Sequence, residues 1–307
     1  MRWYLKSAGF KLLSALPGGD RLYRFAQDHC TGSSQATPER VRQKVEVGLT
    51  YWRWLKQNQR TQALRAGTLL DFGAGWHPTI PLLFYSLGVP RQHLLDLTPW
   101  FTSRQVLATA SLVADQLSAP AFEEKEEVRR LPRPANQQVA PVAELLQQWG
   151  LHYHAPYLPD VPRLQAVADV ALCTQVLLHI PPAGLRNSFA VLRECLKPGG
   201  VFLGTVHLMD LYSHADARIT PYNHLKFSAR TWERWVNSDM MPFNRLKARD
   251  YLSLLGEAGF RIIHQEVNVA TEADYRELDQ VKIHPEFARY TRDELVAKHL
   301  FFVAERP

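Results

Sequence analysis

Leu69-Leu70-Asp71-Phe72-Gly73-Ala74-Gly75-Trp76-His77-Pro78 decides how the rest of this chain reads. A short apolar run, 68–72, ends in two glycines one residue apart. Glycine lets the backbone turn tightly and lets a ligand approach the main chain. Pro78 and Pro81 suit the first turn of a following helix, where a missing amide hydrogen costs little. Strand, glycine turn and helix in that order open a nucleotide-type α/β unit. The third glycine of the dinucleotide fingerprint would fall at Pro78, so that fingerprint fails. Asp71, two residues before Gly73, would repel a pyrophosphate and suits a cationic ligand.

Downstream, strand and helix patterns alternate. A second strand is predicted over 93–97, a helix over 99–118 and an exposed charged linker over 119–136. A helix over 140–149 leads to a third strand at 151–154. The fourth strand covers 169–173 and is followed by a helix over 182–196. Lys197-Pro198-Gly199-Gly200 reads as a turn into a fifth strand, 201–206. Residues 207–246 are polar, aromatic and irregular. A helix over 247–258, a strand over 260–269 and a last strand over 299–304 complete the pattern. Such alternation predicts a doubly wound parallel sheet, with ligands beyond the carboxyl ends of the strands. The first turn and the ends of the second and fourth strands should then line one site.

Upstream, residues 31–38 read as a loop and 39–65 as a helix with Val41, Val45, Leu49, Trp52 and Leu55 on one face. Residues 1–16 carry Leu5, Ala8, Leu12, Leu13 and Leu16 at near-helical spacing, with Arg2, Lys6 and Lys11 elsewhere on the wheel. That helix either packs on its own domain or makes a peripheral membrane contact. Residues 1–67 hold twelve Lys/Arg against four Asp/Glu, a net +8, while the whole chain is +6. The basic character therefore belongs to an N-terminal extension, where it meets solvent or phosphate groups.

The bulk composition, 46% apolar and 21% charged over 307 residues, fits an ordinary globular protein. No apolar run reaches the roughly 18–20 residues of a membrane span, and no signal peptide is expected. Cys30, Cys173 and Cys195 form no pair motif, which fits a reducing cytoplasm and argues against a disulfide framework or a structural metal. No metal is expected.

Asp96 ends the second strand, 21 residues after Gly75. An acidic side chain there can accept both hydroxyls of a ribose. S-adenosylmethionine and NAD share that diol. S-adenosylmethionine is cationic at its ammonium and sulfonium and has no phosphate, so Asp71 and Pro78 favour it over a NAD-dependent reductase. The expected cofactor-binding residues are Asp71, Gly73, Ala74, Gly75, Trp76, Asp96, Leu97, Ala155, Pro156, Thr174 and Gln175. Trp100 and Phe101 follow Asp96 and either contact adenine or, more simply, pack in the core.

The series Leu-Leu-Asp-Phe-Gly-Ala-Gly, the acidic strand end at Asp96, Gln-Val-Leu-Leu-His-Ile-Pro (175–181) and Leu-Lys-Pro-Gly-Gly-Val-Phe-Leu (196–203) resembles the class I S-adenosylmethionine-dependent methyltransferases. Ala-Gly-Phe (258–260) and the ending Lys-His-Leu-Phe-Phe-Val-Ala (298–304) fit too. The resemblance covers about 68–307. It implies a Rossmann-like, seven-stranded sheet whose last strand is antiparallel, behind a helical N-terminal extension at 1–67. It also implies that Asp71 and the glycine turn serve the methionine part, Asp96 the ribose and the 153–157 loop the adenine. Gly-Trp-His-Pro departs from the small residues many members carry there, and resembles a bacterial subgroup associated with cell-surface glycan modification.

Transfer of a methyl group from a sulfonium is an in-line substitution, and an acceptor hydroxyl benefits from a general base. The candidates are His207, His214 with Asp216 beside it, and His179, which can instead cap the following helix. Asp210 and Tyr222-Asn223-His224 lie in the same irregular stretch, 207–246, which is expected to cover the acceptor as a lid. The expectation is a cytoplasmic enzyme of class EC 2.1.1.-, acting on a small molecule or saccharide at oxygen. Alternatives are an RNA methyltransferase, motivated by the basic segment, and a cofactor-binding module without turnover. Without a recognisable RNA-binding module, nucleic acid is not the expected partner.

Overall fold

A computed structural model describes residues 2–18, 22, 35–134, 140–157 and 164–307. Cys30 and the part of the expected loop at 31–34 lie outside them. Seven strands form one sheet in the order β3-β2-β1-β4-β5-β7-β6. They are β1 Leu69–Phe72, β2 Gln92–Leu95, β3 Leu151–His154, β4 Ala168–Thr174, β5 Leu196–His207, β6 Arg261–Val267 and β7 His299–Glu305. β1 runs parallel to β2 and β4, and β2 parallel to β3, while β7 is antiparallel to β6. The expected doubly wound, Rossmann-like sheet with an antiparallel last strand is therefore observed.

Two compact units are formed. The first contains, of the described residues, 35–174, 194–203 and 306–307. Its leading helix, α2 (Pro38–Gln57), follows α1 (Trp3–Ala15) of the second unit. Thr37 caps α2 by accepting from the Arg40 amide, and Pro38 occupies its first position. The buried face of α2 carries Val41, Val45, Leu49, Tyr51, Trp52 and Leu55. These pack against α4 (Thr79–Ser86) and α5 (Ser103–Ser118). Gly48 permits that approach: a Cβ there would stand 2.6 Å from Leu83 Cδ2.

The single helix expected over 39–65 is two helices, because Gln59 adopts a left-handed conformation (φ 57°) and separates α2 from α3 (Thr61–Ala66). A short α6 (Val142–Gln147) precedes β3. β5 starts five residues before its expected beginning. Gly199 and Gly200 exchange backbone hydrogen bonds with Arg306, so the expected turn is held as strand.

The second unit contains, of the described residues, 2–18, 22, 175–193 and 204–305. It holds α1, most of α7 (Pro182–Cys195), α8 (Ala248–Glu257), α9 (Glu272–Asp279) and α10 (Arg292–Val296). Tyr222, Leu225, Leu278, Phe287, Tyr290, Leu295 and Val296 form its apolar cluster. The helices α9 and α10 were not expected from periodicity. Both begin with a capping box, Thr271 with Asp274 and Thr291 with Glu294. Residues 207–246 are, as expected, mostly single helical turns joined by irregular backbone.

Candidate cofactor and acceptor residues

In the first unit, β1 ends in a turn where Gly73 (φ 81°) and Gly75 (φ 68°) both take left-handed backbone that side chains resist. The Gly73 and Ala74 amides donate to the Leu95 carbonyl at 2.8 and 3.2 Å. The Gly75 amide donates to Asp96 Oδ2 at 2.8 Å, and Thr98 N to Asp96 Oδ1 at 3.0 Å. Burial raises the Asp96 pKa, and the Thr98 and Gly75 amides oppose that rise. The Trp100 side chain and the Leu97 amide also donate toward this carboxylate, so Asp96 sits among four donors.

Lys44, Asp71, Gly73, Ala74, His77, Ile80, Pro81 and Thr174 line one small cavity of about 20 Å³, room for a single small group. Asp71 is 4% exposed. Burial pushes its carboxyl up to about 7, against the pull of the Lys44 ammonium. Lys44, from α2, is half-buried. Desolvation lowers its pKa, while Asp71 and Asp96 act the other way. His77 is buried and held neutral, its pKa down to about 4, first by desolvation and then by the Lys44 charge. The Gln35 backbone opposes that fall by a hydrogen-bonding approach, and neither ring nitrogen has a partner at full hydrogen-bond geometry. Tyr51 shares a hydrogen bond of 3.0 Å with the Thr174 hydroxyl.

The other expected cofactor residues of this unit gather around Asp96. Its amide donates to the His154 carbonyl, and its carbonyl accepts from Tyr157 N at 2.7 Å. Ala155 and Pro156, joined by a cis peptide bond, lie between those two anchors. Trp100 N donates to the Tyr153 hydroxyl, which donates to the Thr98 carbonyl. The Trp76 and Trp100 rings stand 3.9 Å apart, and Leu97 is 72% exposed. Phe101 stacks on Tyr153 at 4.3 Å.

In the second unit, Gln175 takes left-handed backbone (φ 58°) and accepts from the His207 amide through Oε1 at 2.6 Å. His207 Nδ1 shares a 2.9 Å hydrogen bond with His299 Nδ1. The His214 ring lies 6.5 Å from that of His207. His207 is held down to about 4, by burial first and then by the neighbouring histidines His299, His214 and His179. It is therefore neutral near pH 7, with Nε2 on the side away from His299. His179 donates from Nδ1 to the Pro242 carbonyl at 2.7 Å, a contact that positions the loop. Asp216 gives its oxygens to Arg218 Nε (2.7 Å) and Trp3 N (3.0 Å). The Arg218 guanidinium holds its carboxyl below the usual range. The structure thus groups His207 with His214 and Gln175, and commits Asp216 to Arg218 and the start of α1.

Lys44, His77 and His299 were not among the residues singled out from sequence. Lys44 carried a readable signal, because it follows Val41 by three and interrupts an otherwise apolar stripe. Nothing local marked His299, whose relation to His207 depends on strand pairing.

A family model described as a methyltransferase domain matches residues 48–265. No curated protein matches the chain. Several solved structures are similar. A S-adenosylmethionine-dependent methyltransferase from Methanosarcina mazei is 14% identical (78% of this chain, 92% of the other, TM-score 0.41). Geranyl diphosphate C-methyltransferase from Streptomyces coelicolor is 9% identical (81% and 77%, TM-score 0.40). A S-adenosylmethionine-dependent methyltransferase from Mesorhizobium loti is 16% identical (80% and 96%, TM-score 0.39).

Proposed function

For a chain that belongs to the methyltransferase domain family, we propose S-adenosylmethionine-dependent methyl transfer to an oxygen of a small molecule or saccharide, class EC 2.1.1.-. One observation carries the cofactor reading: Lys44 and Asp71 present opposite charges to one cavity at the glycine turn. An amino-acid end group is a zwitterion whose two charges match that pair, Asp71 for the ammonium and Lys44 for the carboxylate, and its entry requires the cavity to widen beyond the single small group it now admits. The neutral His77 adds an unspent donor and acceptor beside them. A pyrophosphate would meet Asp71 as a like charge.

Asp96, just past the end of β2, accepts the ribose hydroxyls, and Ala155, Pro156, Leu97 and Trp76 border the base. Ala74, Thr174 and Gln175 complete the binding set. Bound there, the cofactor supplies an electrophilic methyl carbon on a sulfonium. The remaining work is deprotonation of the acceptor hydroxyl, and His207 Nε2 takes that proton. His214 and His179 support it by position, and Asp216 orders the surrounding segment through Arg218. Residues 207–246 act as the lid over the acceptor. The functional domain is 68–307, to which the extension 1–67 contributes Lys44.

The Gly-Trp-His-Pro turn favours membership of the bacterial subgroup associated with glycan modification, and thus a saccharide in a bacterial cytoplasm. Residues 1–16 make a peripheral membrane contact. Among the described residues no helix is long and apolar enough to cross a membrane.

Calorimetry with S-adenosylhomocysteine tests the cofactor: saturable heat is expected, weakened by Lys44→Met and by Asp71→Asn. Absence of heat at millimolar ligand overturns the reading. Incubation with labelled S-adenosylmethionine and a panel of nucleotide sugars and phenols tests the acceptor.

A further inference from the structure

The helix α1 is mounted with its apolar stripe outward. Its inner face is held by polar groups and two rings: Ser7 Oγ donates to the Val236 carbonyl at 2.9 Å, Lys11 Nζ to the Glu233 carbonyl at 2.9 Å, Trp3 packs against Tyr212 and Phe227, and Phe10 is buried. The outer face carries Leu5 (58% exposed), Leu12 (64%) and Leu16 (45%), with Tyr4 beside them. Trp235, on the turn that α1 packs against, is 64% exposed as well. Scattered surface leucines need no explanation. Leucines at helical spacing along one face form a contiguous apolar strip, and Trp235 adds an exposed ring on the adjoining turn.

Cations flank this patch. Arg2 and Lys6 belong to α1 or its cap, and Arg230 and Arg234 to the neighbouring turn, where Arg234 lies over the Trp235 ring. Residues 2–18 contain no acid. Of the nearby acids, Glu233 is bonded to Asn237, Asp216 to Arg218 and Trp3 N, and Asp239 lines a cavity with Lys11 and Ser14 on the anchored side of α1. A surface that is apolar at its centre and cationic at its margin complements one with anionic headgroups over hydrocarbon.

We propose that the outward face of α1, with Trp235, is an interfacial docking surface for anionic lipid. It deepens, and rests on, the reading of residues 1–16 as a peripheral contact, and stands independently of the methyl transfer. Leu5, Leu12 and Leu16 enter the acyl boundary, Trp235 sits at headgroup level, and Arg2, Lys6, Arg230 and Arg234 meet the phosphates. A soluble acceptor needs no such surface; an acceptor carried on a lipid does.

Sedimentation of the full chain with phosphatidylcholine vesicles, with and without phosphatidylglycerol, tests this. Binding is expected with phosphatidylglycerol, reduced by high salt and weak on phosphatidylcholine alone. The exposed double change Leu5→Ser/Leu12→Ser should lower the bound fraction about tenfold or more. Its thermal midpoint and its affinity for S-adenosylhomocysteine should stay at the wild-type values. Trp235→Ser, and Arg234→Glu for the charge, give second and third readings if the double change impairs folding. Equal binding by wild type and these variants, equal binding to both vesicle types, or no binding overturns the proposal. So does a dimer in sedimentation velocity that Leu5→Ser/Leu12→Ser converts to monomer, since a second copy would then occupy the face. Calorimetry on the same samples reports cofactor binding separately, so the two readings can fail independently.

Discussion

The amide of Gly75 points at Asp96 Oδ2 across 2.8 Å, which fastens the turn after β1 to the end of β2. Asp96 thus fixes the turn, and on the proposed reading it also accepts the hydroxyls of the ligand. Asp96→Ala leaves the Gly75 and Thr98 amides without that acceptor. Hydrogen bonds to a charged group contribute about 1.5–3 kcal/mol each, so affinity for S-adenosylhomocysteine should fall about 30-fold or more. Asp96→Asn keeps one oxygen and should lose less. Calorimetry on the two variants decides, and equal affinity in Asp96→Ala and wild type would remove Asp96 from the site.

Ligand binding should depend on pH through Asp71. Its carboxyl titrates near 7 in the free protein, whereas an ammonium partner requires the ionised form. Below about pH 7 binding must first release a proton, so affinity should fall by up to about tenfold per pH unit. Above it, affinity should level off. Asp71→Asn should bind weakly at every pH, with a flat profile between 5.5 and 8. A wild-type profile just as flat would contradict the assigned role.

Acid should destabilise the fold through its buried histidines. His77, His93 and His207 are each held down to about 4, below the ordinary value near 6.5. The unfolded chain binds protons from 6.5 downward and the folded one resists until about 4, so their contribution to stability is lost across that window. Asp71 and Asp210, raised to about 7 and 6, act with the opposite sign, since protonation relieves their burial. His93→Gln removes one histidine of a cluster with His152 and His154. Its urea midpoint should vary less between pH 6.5 and 4 than that of the wild type. An unchanged slope would mean that His93 titrates normally.

Gly150→Ala should be strongly destabilising. The residue takes φ 69°, and a Cβ there would stand 1.8 Å from the Pro90 carbonyl oxygen, which is backbone and cannot swing away. The left-handed conformation alone costs about 1–3 kcal/mol for a residue with a side chain, and the clash adds to it. A thermal melt within a degree of the wild type would show that the backbone between β2 and β3 yields easily.

Loss of His207 should separate chemistry from binding. His207→Gln should lower kcat about 100-fold, the lower range for a general base, and leave the affinity for S-adenosylhomocysteine as it was. His214→Ala should have a smaller effect. A His207→Gln enzyme with undiminished kcat would move the proton acceptor elsewhere.

The sheet was readable because β1, β4, β7 and the 201–206 part of β5 are apolar runs bounded by glycine, proline or charge, in an order that alternates with helices. The turn at Gly73 and Gly75 was readable because only glycine suits its left-handed backbone. What escaped had physical causes. The helix α9 is short and polar on most sides, so periodicity passed over Glu272–Asp279, although the Thr271–Asp274 box marked its start. His214-Ala215-Asp216 looks like a base beside its carboxylate, but Arg218 offers Asp216 a charged donor two residues away. The stripe on α1 was legible as amphipathic, while its outward direction was not, because Ser7 and Lys11 anchor the opposite face through carbonyls more than two hundred residues away. Lys44 was legible only as a break in the apolar stripe of α2; that it faces Asp71 depends on how α2 lies against the glycine turn.

Placing Lys44 on α2 has a consequence for how this protein can be divided. A chain trimmed to begin at Thr68 would keep every glycine of the turn and the carboxylate of Asp71, yet discard the opposite charge and the Val41–Leu55 surface that covers α4 and α5. The smallest piece able to recognise a zwitterion must begin before Thr37, which caps the helix. On the proposed reading, selectivity for the methyl donor can therefore change through substitutions some thirty residues ahead of the glycine turn.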